Sequence, residues 1–427
     1  MKLTFKILPP TNGNWVSVQT FGGSLEDIAH GIKTTEDGGF VIIGNTLSTD
    51  GDFNTKTRSG SDIFLMKFDP TFQLEWTETY GGSEDDRGHD VVQLTDGGFA
   101  IIGYSMSDDG DASENKGQHD NWLLRTDSKG KLLWEKSFGF LGHDHAYSII
   151  TTQDGGLLFN GFLDVTSSGG LGSTSKGQRH GVGEFWVHKI DTSGNIQWRR
   201  YYGGTNNDRS YAAVETEEGN FVIVGTTEST DIDISAPRGD YDVWVIKIAA
   251  NGTLLWERSF GGSEYEGSNA VWLDSKQVLH VFGNTFSTDK DISSPLGSSD
   301  FWLISVDQNG NLLFENTFGG TAFDLGRDLL IDKNNHFWLT GYSRSSDIDL
   351  SENYGDNDIV LLQLDQNKFP KQHFSLGGSG LDIAHAIVEL PQGGILVVGS
   401  TESADGSFTG NRGNKDIFLA LWDGILE

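Results

Sequence analysis

The sequence predicts an all-β fold: one seven-bladed β-propeller with four antiparallel strands per blade, taking in residues 1–427 as a single unit. Three observations predict it. One unit recurs seven times, each copy reads as four short strands, and the strand missing from the last copy stands at the opposite end of the chain.

The recurrence is marked by an aromatic residue or leucine followed by glycine, at Phe21, Tyr80, Phe138, Tyr202, Phe260, Phe318 and Leu376. Neighbouring marks lie 58 or 59 residues apart, except for one interval of 64 between Phe138 and Tyr202. Between marks the text keeps one order: GGSxxD, a short apolar stretch, DGGF, an apolar run, STDGD, GxxD, an aromatic run, DxxG and LxW.

Each stretch has a physical reading. Strand a is typified by residues 29–34, AHGIKT, and Asp37-Gly38-Gly39 turns it into strand b. Asp-Gly and Gly-Gly suit hairpin turns because those positions need φ > 0. Strand b, residues 40–44, is a continuous apolar run, as expected of a strand covered on both faces. Strand c, residues 63–68, follows a longer loop, and strand d, residues 74–79, alternates apolar with polar. Burial therefore falls from b to d, which fits a blade whose outer edge meets water. No segment carries the 3.6-residue period, so helical solenoids are excluded. The seventh unit stops after its strand c, at residues 416–422, and residues 16–20 running into Phe21 supply its strand d. Closing the ring this way pairs edges that would otherwise stay open.

Composition excludes several functions. With 61 acidic against 30 basic residues, the formal charge is −31, which repels nucleic acid and anionic lipid and favours cations, basic partners or Ca²⁺. There is no cysteine, so disulfides, thiolate catalysis and Cys-ligated zinc are ruled out. No apolar run approaches the ~20 residues of a membrane helix, and residues 1–15 hold no signal-peptide core, so direct membrane insertion is not expected. No G-x-S-x-G elbow or H-E-x-x-H pair is present, and the expectation is a protein without enzymatic activity.

The wording DGGF-(V/I)-I-x-G-x-T-x-S-x-D-G-D, followed by G-x-x-D-x-W-L-x-K-x-D-x-x-G-x-L-x-W-x-x-x-(F/Y)-G-G, closely resembles a propeller repeat of secreted and cell-surface proteins of Bacteroidetes-type bacteria. The resemblance runs over essentially the whole chain. It implies an extracytoplasmic protein, periplasmic or at the cell surface, in the company of a type IX secretion system. A looser similarity links D-x-x-G-x-(L/I)-x-W, as at Asp127, Gly130 and Trp134 or Asp191, Gly194 and Trp198, to quinoprotein-type propeller repeats. It implies that each tryptophan packs between blades.

In propellers the d–a and b–c loops share a face, and here that face gathers acids. The d–a loops carry Asp27, Asp86, Asp144, Asp208, Glu266, Asp324 and Asp382. Five b–c loops carry an Asp-x-Asp pair: Asp50 and Asp52, Asp109 and Asp111, Asp231 and Asp233, Asp289 and Asp291, Asp347 and Asp349. Unit seven has Asp405 with Ser407. These pairs either accept backbone N–H bonds and order their own loops, or offer hard oxygen ligands to Ca²⁺. Three residues beyond each d–a acid lies a varied column facing the axis: His30, His89, Tyr147, Tyr211, Asn269, Arg327 and His385. His385, His30 and His89 fall on adjacent blades, so the rings either pack together or hold a transition metal. Unit three departs most from the repeat. It carries His143, Asp144 and His145, and a Gly/Ser-rich insertion over residues 167–183 containing Gln178, Arg179 and His180.

The resulting expectation is a binding or scaffold propeller that engages a protein partner, such as a component of a secretion or envelope complex, through its acidic loop face or the unit-three insertion. The alternative is a Ca²⁺-supported propeller that binds or cleaves glycans, with Tyr265 and Phe323 stacking on sugars.

Overall fold

In the computed structural model, which describes residues 15–173, 180–350 and 352–422, seven four-stranded antiparallel sheets form a ring. The first blade comprises strands Asp27–Thr34, Phe40–Thr46, Asp62–Phe68 and Leu74–Tyr80. The next five blades repeat the pattern over residues 86–138, 145–202, 208–260, 266–318 and 324–376. The seventh blade takes strands Asp382–Glu389, Ile395–Thr401 and Asp416–Trp422 from the C-terminal end. Its outer strand is Trp15–Phe21, paired antiparallel with Asp416–Trp422. The expected closure is therefore the observed one. The strands outrun the apolar runs by one or two residues, because the acid that opens strand a and the hydroxyl residue that ends strand b, Asp27 and Thr46, form one more rung.

The core lies between blades rather than within them. Alternate side chains of strand b point to opposite neighbours. Phe40 and Ile42 join a cluster shared with the seventh blade, while Val41 and Ile43 join one shared with the second. This accounts for the unbroken apolar text of strand b, which is buried throughout in every blade but the sixth, where Tyr342 is half-buried, and for the half-exposed pattern of strand d. The strand d tryptophans also bridge blades. Trp198 Nε1 donates to Ala250 O at 2.8 Å and Trp256 Nε1 to Gln308 O at 3.0 Å, each in the next blade's c–d turn. Gly252 in that turn has φ +77°, and a Cβ there would sit 2.9 Å from the Trp198 ring, so both backbone shape and space call for glycine.

Candidate functional site

The d–a acids are construction. Asp86 is fully buried and accepts from Ser105 Oγ, from Ser107 Oγ at 2.8 Å and from Gly82 N at 2.7 Å. Asp27, Asp208, Asp324 and Asp382 repeat the arrangement with their own hydroxyl pairs and glycine amides, and Glu266 does so with Thr285, Ser287 N and Gly262 N. This is why the repeat reads T-x-S after strand b. Only unit three lacks the hydroxyl pair, and there Asp144 accepts from Asp164 N instead.

The Asp-x-Asp pairs are ties of the same kind. Asp50 Oδ1 accepts Ser24 N at 2.7 Å and Asp52 Oδ2 accepts Gly22 N at 2.9 Å, fastening the b–c loop to the chain that enters the blade. Asp109 and Asp111, Asp231 and Asp233, Asp289 and Asp291, and Asp347 and Asp349 take the equivalent amides. Asp405 accepts Ser379 N.

A further acid column stands at the start of strand c: Asp62, Asp120, Glu184, Asp242, Asp300, Asp358 and Asp416, all buried. Burial pushes Asp62 up to about 7 and Glu184 up to about 11, with the Asp208 charge adding to the latter. Sequence reading passed over this column, although the D of the recurrent GxxD was its signal.

The axial column is where the sequence reading located it, and the structure shows how it is made. In every blade strand a carries a β-bulge, and the unpaired residue is His30, His89, Tyr147, Tyr211, Asn269, Arg327 or His385. A bulge releases one residue from the ladder and re-aims its side chain. The seven side chains line an axial cavity of about 360 Å³. From His385 to Tyr211 the rings form a continuous band, with centroids 5.3 Å apart for His385 and His30, 4.9 Å for His30 and His89, 4.9 Å for His89 and Tyr147, and 5.1 Å for Tyr147 and Tyr211. Burial lowers His30 to about 4 and holds His89 and His385 well below the usual imidazole range. These rings pack against one another, and His30 Nε2 lies 2.8 Å from Asn45 Oδ1.

At the mouth of this channel, on the face of the d–a and b–c loops, each blade junction brings three residues together. One precedes strand c, one precedes strand a of the next blade, and one follows that blade's strand b. Backbone bonds fix all three: Phe286 N donates to Tyr265 O at 3.0 Å, and Tyr265 bridges Tyr241. The repeat leaves these positions free, and each junction differs. Lys415, Glu26 and Leu47 occupy one, and Ser61, Asp85 and Met106 the next. Further round, Tyr241, Tyr265 and Phe286 give way to Ser299, Phe323 and Arg344. One side is charged, with Lys415 Nζ 3.8 Å from Glu26 and Arg87 Nε 2.9 Å from Asp85. The opposite side is an aromatic arc: Tyr241–Tyr265 at 5.4 Å, Tyr265–Phe286 at 5.7 Å and Phe286–Phe323 at 6.3 Å between centroids. Tyr265 is 39% and Phe323 44% exposed.

The unit-three residues separate. The insertion opens with a short helix, Val165–Ser168, capped by Asp164. His180 is buried, with Nδ1 3.0 Å from Glu184 Oε2, while Arg179 and Gln178 lie outside the described residues. His143 and His145 flank Asp144 at the channel mouth, beside His119 of the neighbouring blade, a residue that sequence reading missed.

No family model matches the chain. A curated relative, the regulatory protein FlaEY of Caulobacter vibrioides, is 22% identical over 296 residues, which cover 63% of this chain and 31% of that protein. The match thus takes in about a third of the relative's length. Among solved structures, the Pan2 WD40 domain of Neurospora crassa aligns with a TM-score of 0.51 at 10% identity, over 93% of this chain and 90% of that one. Sqt1 of Chaetomium thermophilum aligns with a TM-score of 0.43 at 11% identity, over 96% of this chain and all of that one. At this identity the likeness to the Pan2 domain is one of fold.

Proposed function

We propose that the protein is a non-enzymatic binding propeller whose channel mouth engages a protein partner. The observation that carries this is the contrast between scaffold and mouth. Six of the seven junctions share one set of buried acid ties, with unit three the exception, yet the three mouth positions carry a different residue trio at each. Two adjacent junctions present exposed aromatic rings. Exposed Tyr and Phe on a rigid frame are anchors of the kind that dominate protein interfaces, and a charged sector across the mouth from them sets orientation. That the Caulobacter relative is a regulatory protein fits a molecule that acts by binding. The resemblance of the repeat to cell-surface propellers supports an extracytoplasmic post and a partner within a secretion or envelope complex.

A photo-crosslinking residue placed at Phe323 is expected to capture one discrete partner in cells, whereas one at Leu313, exposed on strand d away from the mouth, is expected to capture none. Equal capture from both positions would remove the mouth from the account.

The exposed pair Tyr265 and Phe323 favours a second reading, a glycan ligand stacked on the arc with Ca²⁺ at the Asp-x-Asp loops. A glycan array separates the two: hits abolished by Tyr265→Ala support the sugar reading, and a blank array leaves the protein partner.

A further inference from the structure

The junction between the second and third blades holds a constellation that the repeat does not require. His119 precedes strand c of the second blade, and His143 and His145 flank the buried Asp144 where strand a of the third blade begins. His119 and His143 sit on a parallel bridge, locked by Asp144 N donating to His119 O at 2.8 Å. The equivalent pairs elsewhere include Gly183 with Asn207, Ser299 with Phe323, and Asn357 with Leu381, so no structural demand of the fold puts histidine here.

The three rings are close together. One ligand nitrogen from each lies within 4.8 Å of the others, and among the described residues no other group of three or more His, Asp or Glu meets that condition. His119 Nδ1 and His143 Nδ1 are in direct contact. Two neutral imidazoles so placed can share a single proton, or a cation can hold both lone pairs. His145 favours the second arrangement. Its Nδ1 is 3.2 Å from Tyr147 Oη, and in the tautomer that donates there, the Nε2 lone pair is buried without a hydrogen-bond partner. A hydrogen bond from the far nitrogen that fixes tautomer and ring orientation is the usual outer support of a metal-bound histidine. Tyr104 walls the site, stacked on His145 at 4.0 Å and edge-on to His119 at 5.0 Å.

We propose that His119, His143 and His145 form a binding site for one divalent transition-metal ion of borderline softness, Zn²⁺ foremost, with a coordination position left open at the channel mouth. Three imidazole nitrogens suit Zn²⁺, Ni²⁺ or Cu²⁺ and not Ca²⁺ or Mg²⁺, which take oxygen ligands. Tetrahedral bonds of 2.0–2.1 Å put ligand nitrogens about 3.3 Å apart. The ligand atoms, now within 4.8 Å of one another, need small side-chain adjustments to reach that value, and His143 is the exposed member of the trio. The open position faces the surface proposed to meet a partner, where a carboxylate or imidazole of that partner completes the coordination sphere.

The test is calorimetric titration of Zn²⁺ into the chelator-stripped protein. The expected result is one ion per chain, with affinity falling at least tenfold in His119→Ser and in His143→Asn. Those replacements are residues that occupy the same positions at other junctions, Ser299 and Asn207, so the fold tolerates them, and unchanged melting of the metal-free variants verifies that. His385→Asn, in the axial band, is expected to bind Zn²⁺ like the parent. Co²⁺ loading is expected to give the visible bands of a four-coordinate, nitrogen-rich site, lost in both variants. No stoichiometric binding by the parent, binding undiminished in both variants, or binding lost in His385→Asn would each overturn the assignment.

Discussion

If the recurrent acids build the loop face rather than bind ligands, the cost of losing one should follow its burial. Asp86→Ala removes the acceptor for Ser105 Oγ, Ser107 Oγ and Gly82 N from a site with no access to water. An orphaned buried donor costs ~1–3 kcal/mol. The two hydroxyls can turn to other acceptors, whereas the glycine amide cannot, and relief of the carboxyl's own desolvation offsets part of the loss. The net is about 3 kcal/mol. Unfolding entropy near 2.1 cal/mol/K per residue, over 427 residues, comes to about 0.9 kcal/mol per degree, so the melting midpoint should fall by about 3 °C. Asp109→Ala surrenders one exposed bond, to Ser83 N at 2.7 Å, and should cost ~1 °C or less. Adding Ser105→Ala to Asp86→Ala should cost less than the sum of the two, because it deletes one of the orphans. Scanning calorimetry decides. A midpoint for Asp86→Ala within a degree of the parent, or equal losses for Asp86→Ala and Asp109→Ala, would refute the reasoning.

Millimolar Ca²⁺ added to chelator-treated protein should move the midpoint by no more than about 1 °C, since the Asp-x-Asp oxygens already accept backbone amides; a shift of several degrees would make those loops metal sites. Glu184→Gln probes the buried acids by pH. The Glu184 carboxyl, at about 11 in the fold and 4.5 in the unfolded chain, contributes stability that is full below about 4.5 and is lost as pH rises toward 11. The variant should therefore gain on the parent steadily from pH 5 to pH 9, and a constant or shrinking gap in midpoints would contradict the assignment. Phe21→Ala, in the closing strand, empties a site in the cluster joining the seventh and first blades, and should cost ~3–5 kcal/mol, about 4 °C, by thermal melt. A neutral result would mean that the ring does not depend on this strand.

The architecture was legible because propeller blades repeat their physics. The DGG turns, the apolar strand b and the stranded seventh unit each have one cheap structural solution, and Trp15–Phe21 against Asp416–Trp422 is that solution. The axial column could be located by counting, but not explained: the bulge that frees His30 and its six counterparts leaves no mark in composition, only a residue unconstrained by pairing. The acids misdirect for a related reason. A carboxylate that ties a loop and one that binds a cation carry the same letter, and only the donors around Asp50 or Asp86 tell them apart. His143 and His145 stood out because they break the repeat. His119 did not, because its partnership runs across a blade junction, and contact between distant loops is a property of the closed ring.

The central claim is that the mouth positions, which vary on an otherwise repeated frame, are where the partner docks. The most direct measurement is partner affinity, once the crosslinked partner is in hand, for Tyr265→Ala and Phe323→Ala set against Leu313→Ala and Phe369→Ala on exposed sites away from the mouth. The account predicts at least a tenfold loss, about 1.4 kcal/mol, from each mouth substitution and little change from the other two. Affinity that survives both mouth substitutions and falls with Leu313 or Phe369 would contradict it.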